Sequence, residues 1–196
     1  MRWNRGREFI IDENVNVVNA VPNETISKSY WFTEKEEVKD YNYGKYAVYP
    51  GGAFETHLKP FTEGAFKLNG ATGKASAVMP YYTISTGVDP SGKNVGNSYS
   101  KYIITDLLRE KYGYDGVVCT DWAITADNRS IDSFDGKCWG VEELTVAQRH
   151  YECLKAGVDQ FGGNNDKGPV LEAYQMWVDE FGKESADQRF KESAKR

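Results

Sequence analysis

From Ala75 onward the chain alternates short apolar runs with longer segments of helical period, and this alternation limits the fold more than any other feature of the sequence. Residues 75–82 read as a short buried strand. Residues 99–112 carry Ile103, Leu107 and Leu108 at helical spacing and stop at Gly113, which suits the left-handed backbone that closes a helix. Gly116-Val117-Val118-Cys119 is an unbroken apolar run, as expected of a strand covered on both faces in a parallel sheet. Residues 142–156 place Leu144, Ala147, Tyr151 and Leu154 on one stripe, with Gly157 as the cap, and residues 158–161 form another short strand. Pro169 opens a further helix to Phe181, with Leu171, Tyr174, Val178 and Phe181 facing inward and Gly182 at its end. Residues 186–196 keep a helical pattern. Strand–helix order three times over implies parallel strands joined by right-handed crossovers. The expected class is therefore α/β. Three such strands leave open edges, and a (β/α)8 barrel takes about 250 residues. The expectation is a partial (β/α)8 TIM-type barrel with parallel strands and alternating helices, truncated relative to the whole.

The first 45 residues are less regular and are expected to form an irregular N-terminal segment ahead of residues 46–196. Ile10-Ile11 and Val15-Asn16-Val17-Val18 suit short strands, and residues 34–39 are a charged run of the kind that forms a solvated face. Tyr41, Tyr43, Tyr46 and Tyr49 precede the turn signal Pro50-Gly51-Gly52. These aromatics can line a ligand site or pack as a surface loop, and composition favours the loop. Residues 53–68 read as a helix with Phe54, Leu58, Phe61, Ala65 and Leu68 on one face, kinked or interrupted by Pro60.

A net charge of −5 over 196 residues disfavours a nucleic-acid partner, which needs a basic face. No apolar run approaches the roughly 20 residues that span a bilayer. The N-terminus carries no secretory signal pattern. Cys119, Cys138 and Cys153 show no metal-ligand spacing and suit reduced thiols, so a cytoplasmic location and no metal are expected. His57 and His150 read as packing or surface residues rather than ligands.

In parallel α/β folds the functional residues gather at the C-terminal ends of the strands. Those ends carry Tyr81-Tyr82, Thr120-Asp121-Trp122 and the loop at residues 162–166. A carboxylate directly after a buried apolar run needs a reason, because desolvation penalises its charged form. Capping of the next segment is the common one. Trp122 shifts the balance: an aromatic face beside a carboxylate is a platform on which the C–H groups of a sugar ring stack. Tyr82, at the end of the adjacent strand, is placed to donate a hydrogen bond that holds the carboxylate ionised. An ionised, rigidly held carboxylate beside an apolar surface is what a glycosidase nucleophile requires. Trp139 can touch an outer subsite or pack within its loop. Asn164, Asn165 and Asp166 can bind a ligand or cap the Pro169 helix, and capping is favoured. Glu142 and Glu143 read as the acidic start of a helix.

The stretch from Ala77 to Trp122 resembles glycoside hydrolase family 3, the β-glucosidases and their relatives. The resemblance rests on Ala77-Val78-Met79-Pro80-Tyr81-Tyr82, Thr86-Gly87, Thr105-Asp106-Leu107-Leu108-Arg109 and Gly113-Tyr114-Asp115-Gly116-Val117-Val118-Cys119-Thr120-Asp121-Trp122, in the family's order. Leu58-Lys59-Pro60-Phe61 and Lys155-Ala156-Gly157-Val158-Asp159 extend it, and it covers residues 43–196. It implies that Asp121 is the nucleophile and that Tyr82, Trp122 and Met79 border the sugar. Thr120 replaces the family's usual serine, and Tyr81 replaces a small residue. The family's Lys-His pair before a Pro-Gly turn is not found here.

The resemblance further implies a retaining, exo-acting hydrolysis of a β-glucoside or β-glucan oligosaccharide without a cofactor. It implies that further barrel strands and a C-terminal domain, which usually carries the acid/base, belong to the whole enzyme. The alternative is a non-catalytic carbohydrate-binding fragment or pseudoenzyme.

Overall fold

The computed structural model describes residues 8–11, 17–21, 45–127 and 137–196. The chain divides into two compact units, Met1–Tyr43 and Gly44–Arg196. In the first, strands β1 (Glu8–Ile11) and β2 (Val17–Val21) pair antiparallel, with Glu8 opposite Val21 and an irregularity between Ile10 and Ile11. The charged run at residues 34–39 and the tyrosines at 41 and 43 lie outside the described residues.

The second unit is α/β with parallel strands. Its central strand is β6 (Val117–Val118), which runs parallel to β4 (Ala77–Val78). On one side the Val117 and Cys119 amides donate to Ser76 O and Val78 O, each at 3.0 Å. On the other side the amides of Asp159 and Gln160 donate to Val118 O, and Thr120 N–H donates to Gln160 O at 2.9 Å. Segments 77–78, 117–118 and 158–160 are therefore adjacent and parallel, as the βα rhythm predicts. The paired segments are shorter than expected. Ala77 is exposed and Val78 half-buried, so the strand at residues 75–82 is not the buried one the sequence suggests. Val118 is fully buried and Val117 only half, so β6 is sealed on one face.

A second parallel pair joins β3 (Tyr46–Ala47) to β5 (Ile84–Ser85). β3 lies where composition favours a loop, and β5 falls just past the strand expected at residues 75–82. The pairing joins residues 38 positions apart, which no local pattern encodes.

The first helix, α1 (Phe54–Lys59), passes at Pro60 into a turn with π-type spacing, Pro60–Ala65. Pro60 has no N–H to continue an α ladder, so the change falls where its ring sits. The apolar face expected here is not sealed: Phe61 and Leu68 are exposed. Helix α2 (Tyr102–Lys111), also of π-type winding, buries Leu107 of the expected Ile103, Leu107 and Leu108 stripe together with Ile104, while Ile103 and Leu108 are half-buried. It ends at Gly113, φ +60°, and Tyr114 N–H donates to Leu108 O at 3.0 Å, which closes the last turn.

Helix α3 (Val146–Ala156) starts four residues later than expected. Thr145 is its N-cap, and Gln148 returns the hydrogen bond in a capping box. Glu142 and Glu143 thus precede the helix, and Glu142 instead pairs with Lys45 at 2.9 Å. Gly157, φ +110°, closes α3. Helix α4 (Gly168–Phe181) turns Ala173 inward, with Met176 and Trp177 beside it, against Tyr151 and Leu154 of α3. Leu171 and Phe181, expected inside, are exposed. Helix α5 (Lys183–Lys195) follows directly after Gly182.

Asp159 ties these layers together. Its carboxylate, 1% exposed, accepts from Val118 N–H at 3.0 Å, Arg109 of α2 at 2.6 Å, Ser193 of α5 at 2.8 Å and Arg196 at 2.9 Å. Burial pushes this carboxyl up, but the Val118 amide, the Ser193 hydroxyl and the Arg109 charge outweigh it and hold the group below its ordinary value. The unfolded chain therefore binds a proton more readily than the folded one. The stabilisation is present above the ordinary carboxyl range, about pH 4, and is lost as pH falls through the lowered folded value. Asp159→Asn should cost about 3 kcal/mol in urea unfolding at pH 7, because it leaves the part-buried Arg109 guanidinium without its counter-charge. The gap between variant and parent should narrow below about pH 4.

Candidate active site

Backbone contacts bring the ends of the three parallel segments together. Pro80 O, just past β4, accepts the Asp121 N–H at 3.4 Å and the buried Ser98 hydroxyl at 2.7 Å. Thr120, just past β6 and 2% exposed, accepts Gly162 N–H on its Oγ1 at 2.9 Å. The substitution of threonine for serine thus keeps the hydroxyl that docks the next loop.

Asp121 is half-buried. Its Oδ1 accepts the N–H of the next residue, Trp122, at 2.6 Å, which is not the capping bond to an amide two or three residues on. The carboxylate makes no other side-chain hydrogen bond among the described residues, and Tyr82 is not bonded to it. Tyr82 still feels it. Burial raises the Tyr82 phenol first, and the Asp121 carboxylate then raises it further, with Tyr81 adding to the effect. Tyr82 therefore keeps its proton and remains a donor at neutral pH. The Tyr82 ring stands edge-on to Trp139 at 5.2 Å and tilts against Tyr81 at 4.7 Å. Trp139 is 4% exposed and its carbonyl accepts Gly96 N–H at 2.9 Å, so it packs beneath the site.

Trp122 is 64% exposed, and Met79 and Tyr81 are exposed near it in the strand-end layer. The back of the Trp122 indole is supported by glycine backbone. A Cβ on Gly163 would lie 2.6 Å from Trp122 Cδ1, and one on Gly162 would lie 2.2 Å from Thr120 O. Ala123 follows at φ +54°, a left-handed conformation that costs a non-glycine residue about 1–2 kcal/mol.

Sequence reasoning placed Tyr82, Asp121 and Trp122 at strand ends, and the structure has them there; Met79, expected within its strand, directly follows β4 and is exposed. It missed the groups that hold them. Arg149 of α3, 3% exposed, donates to Val141 O, Thr125 O and Glu142 O and pairs with Asp127 at 2.7 Å, so it braces the segment after Trp122. His150 is fully buried and bonds to Thr125 and Asn164. Asp166 Oδ1 accepts Gly168 N–H, the first amide of α4, at 2.8 Å, but the N-cap position itself is Lys167 and has no side-chain capping bond. The Gly162-Gly163 pair was the signal for a close approach of backbone to an indole. Among the described residues, no three His, Cys, Asp or Glu side chains come together to hold a metal. The three cysteines are unpaired thiols, and burial raises those of Cys119 and Cys153.

In parallel α/β folds ligand-binding groups gather at the C-terminal strand ends, and here those ends carry a carboxylate and exposed aromatics. The family model described as the glycosyl hydrolase family 3 N terminal domain matches residues 53–196, and the chain belongs to that family. It is 39% identical over 147 residues to the periplasmic beta-glucosidase/beta-xylosidase of Dickeya chrysanthemi, covering 68% of this chain and 21% of that protein. It is 41% identical over 131 residues to beta-glucosidase C of Emericella nidulans, covering 66% of this chain and 20% of that protein. The chain thus spans about a fifth of the length of these curated relatives. Among solved structures, the beta-N-acetylglucosaminidase from Thermotoga maritima superposes with a TM-score of 0.51 at 22% identity, covering 76% of this chain and 30% of that one. At this identity the likeness speaks for the fold alone.

Gly163→Ala combines a Cβ at φ +67° with a contact at 2.6 Å to the indole. It should displace the Trp122 indole N–H resonance, assigned through Trp122→Phe, and lower stability by about 1–2 kcal/mol.

Proposed function

We propose that this chain is the nucleophile-bearing part of a retaining β-glucosidase-type exo-hydrolase acting on β-glucosides or β-glucan oligosaccharides. The observation that carries the reading is Asp121 beside the exposed face of Trp122, at the end of the central parallel strand. Asp121 Oδ1 is engaged by the Trp122 amide, which orients the carboxylate and leaves Oδ2 for attack. Oδ2 would form a bond to the anomeric carbon as the bond to the leaving oxygen breaks. A carboxylic acid about 5–5.5 Å away would protonate that oxygen, and the same group as a carboxylate would deprotonate the water that releases the sugar. Tyr82, whose phenol is raised by burial and by Asp121 and so keeps its proton, would serve as a donor to the carboxylate. Trp122 would stack on the ring and Met79 would border it. On this reading the three parallel segments belong to a (β/α)8 barrel, and the remaining strands and the acid/base lie in parts of the enzyme beyond these 196 residues. The family membership and the short span relative to full-length relatives support that view.

The test is labelling with a 2-deoxy-2-fluoro-β-glucoside bearing a dinitrophenolate leaving group. That leaving group needs no protonation, so the missing acid is bypassed and the glycosyl-enzyme should accumulate. One equivalent of added sugar mass is expected on the peptide containing Asp121, absent in Asp121→Asn. Saturable sugar binding without any covalent mass would overturn the hydrolase reading in favour of a binding module.

A further inference from the structure

We propose that His150, held as its neutral Nδ1–H tautomer, is the positioning residue that keeps the Asp121–Trp122 segment and the Gly162–Gly163 loop in register. The inference rests on the proposed function for its effect on chemistry, but its geometry stands apart from it. His150 lies on α3 and is 0% exposed, with its ring tilted against Phe161 at a centroid distance of 4.4 Å. Its Nδ1 is 2.8 Å from Val146 O. A carbonyl only accepts, so Nδ1 carries the hydrogen.

The other nitrogen faces two donors. Asn164 Nδ2 is 2.7 Å from Nε2. The orientation of that amide is fixed, because Asn164 Oδ1 accepts Asp166 N–H at 2.9 Å. Thr125 Oγ1 approaches the same nitrogen at 3.3 Å, the longer arm of a shared bond. Nε2 must therefore be a lone pair. Asn164 follows directly on the two glycines that back the Trp122 indole, and Thr125 lies three residues after Trp122. One buried acceptor thus joins both loops that bracket the nucleophile.

Protonation would set an Nε2–H against the Asn164 amide hydrogens and break the link. Burial holds the imidazole below its ordinary value, while Val146 O and the field of Asp166, in the loop before α4, pull the other way. On the Thr125 side, Arg149 and Asp127 face one another at 2.7 Å and largely cancel. A base with a lowered folded pKa contributes stability that is present above its ordinary value and lost as pH falls through the lowered one. The link is accordingly intact at neutral pH and fails on the acid side.

Long-range proton–nitrogen NMR of the full chain reads the tautomer directly, with His57→Gln used for assignment. A protonated Nδ1 with bare Nε2 is expected at pH 7, titrating below the ordinary histidine value. An Nε2–H tautomer or an imidazolium at pH 7 would overturn the proposal. Asn164→Asp places a carboxylate against Nε2 and should raise the titration midpoint by at least about one pH unit; an unmoved midpoint would also overturn it. Asn164→Ala changes an exposed residue and spares the core, so it should fold. It should shift the Trp122 indole resonance and slow fluoroglycoside labelling of Asp121 about tenfold. His150→Gln, whose Oε1 can still accept from Asn164, should retain most of the labelling rate and lose the acid limb of its pH profile, whereas His150→Phe should label about tenfold more slowly or worse. Equal rates in His150→Gln and His150→Phe would leave His150 a mere space-filler. If no variant and no parent labels, the hydrolase reading fails while the tautomer result stands or falls by itself.

Discussion

The fold depends on a carboxylate that sits where the sheet would otherwise be too small to hold together. Each paired segment of the sheet is only two residues or so long, so ladder hydrogen bonds alone give little cohesion. Asp159 replaces missing ladder with side-chain chemistry. It bonds to the amide of the central strand, to a guanidinium from the helix before that strand and to a hydroxyl from the last helix. Arg109 also donates to Gly116 O at 2.6 Å and Tyr114 O at 3.1 Å, so the turn that launches β6 is fixed by the same group. Buried ion pairs often do no better than apolar residues of the same volume. This one differs because the pair also satisfies backbone groups that an apolar residue would leave without partners, Val118 N–H on the Asp159 side and the Tyr114 and Gly116 carbonyls on the Arg109 side.

Arg189 extends the same logic to α5. It donates to Leu154 O and Val158 O, the carbonyls around the C-terminal end of α3, while Trp177 of α4 bonds to Ser185 of α5 at 3.0 Å. The rear of the strand-end layer is thus clamped by arginines. The front is open, with Trp122, Met79 and Tyr81 all exposed. Rigidity behind and exposure in front is what lets a short strand present a carboxylate in a set direction.

What was legible in the sequence was what local rules control. Gly113, Gly157 and Gly182 end their helices because each adopts a positive φ that other residues resist. The apolar run at Val117-Val118 marked the central strand. The misplaced start of α3 was also a local error, since Thr145 and Gln148 spell out a capping box that the acidic pair at 142–143 obscured. Other features were not legible, because distant residues decide them. The parallel pairing of Tyr46 with Ile84 is one. The inward phase of α4 is another: Leu171 and Phe181 looked like core, but Tyr151 and Leu154 of α3 pack against Ala173 and Trp177 instead. Asp159 was visible as part of a motif, yet its four partners come from three separate stretches of the chain. The strand-end residues Asp121 and Trp122 could be found from spacing, whereas their supports could not: His150 reads as a packing or surface residue, and no local pattern marks Arg149.

The openness of the front bears on how the proposed chemistry would work. A carboxylate in water is a weak nucleophile, because its hydration must be shed before it can attack. Asp121 is half-buried, with one oxygen already held by the Trp122 amide, so part of that hydration is replaced by a fixed dipole in advance. A sugar stacked on the Trp122 face would cover the other oxygen and expel the remaining water. It would do so only if the indole stands firm against the Gly162–Gly163 backbone, for a platform that gives way leaves water at the carboxylate. The close packing of Gly163 on the indole and the strained Ala123 that follows it belong to the same requirement. They hold an exposed aromatic at a fixed height beside the carboxylate oxygen that the Trp122 amide does not engage.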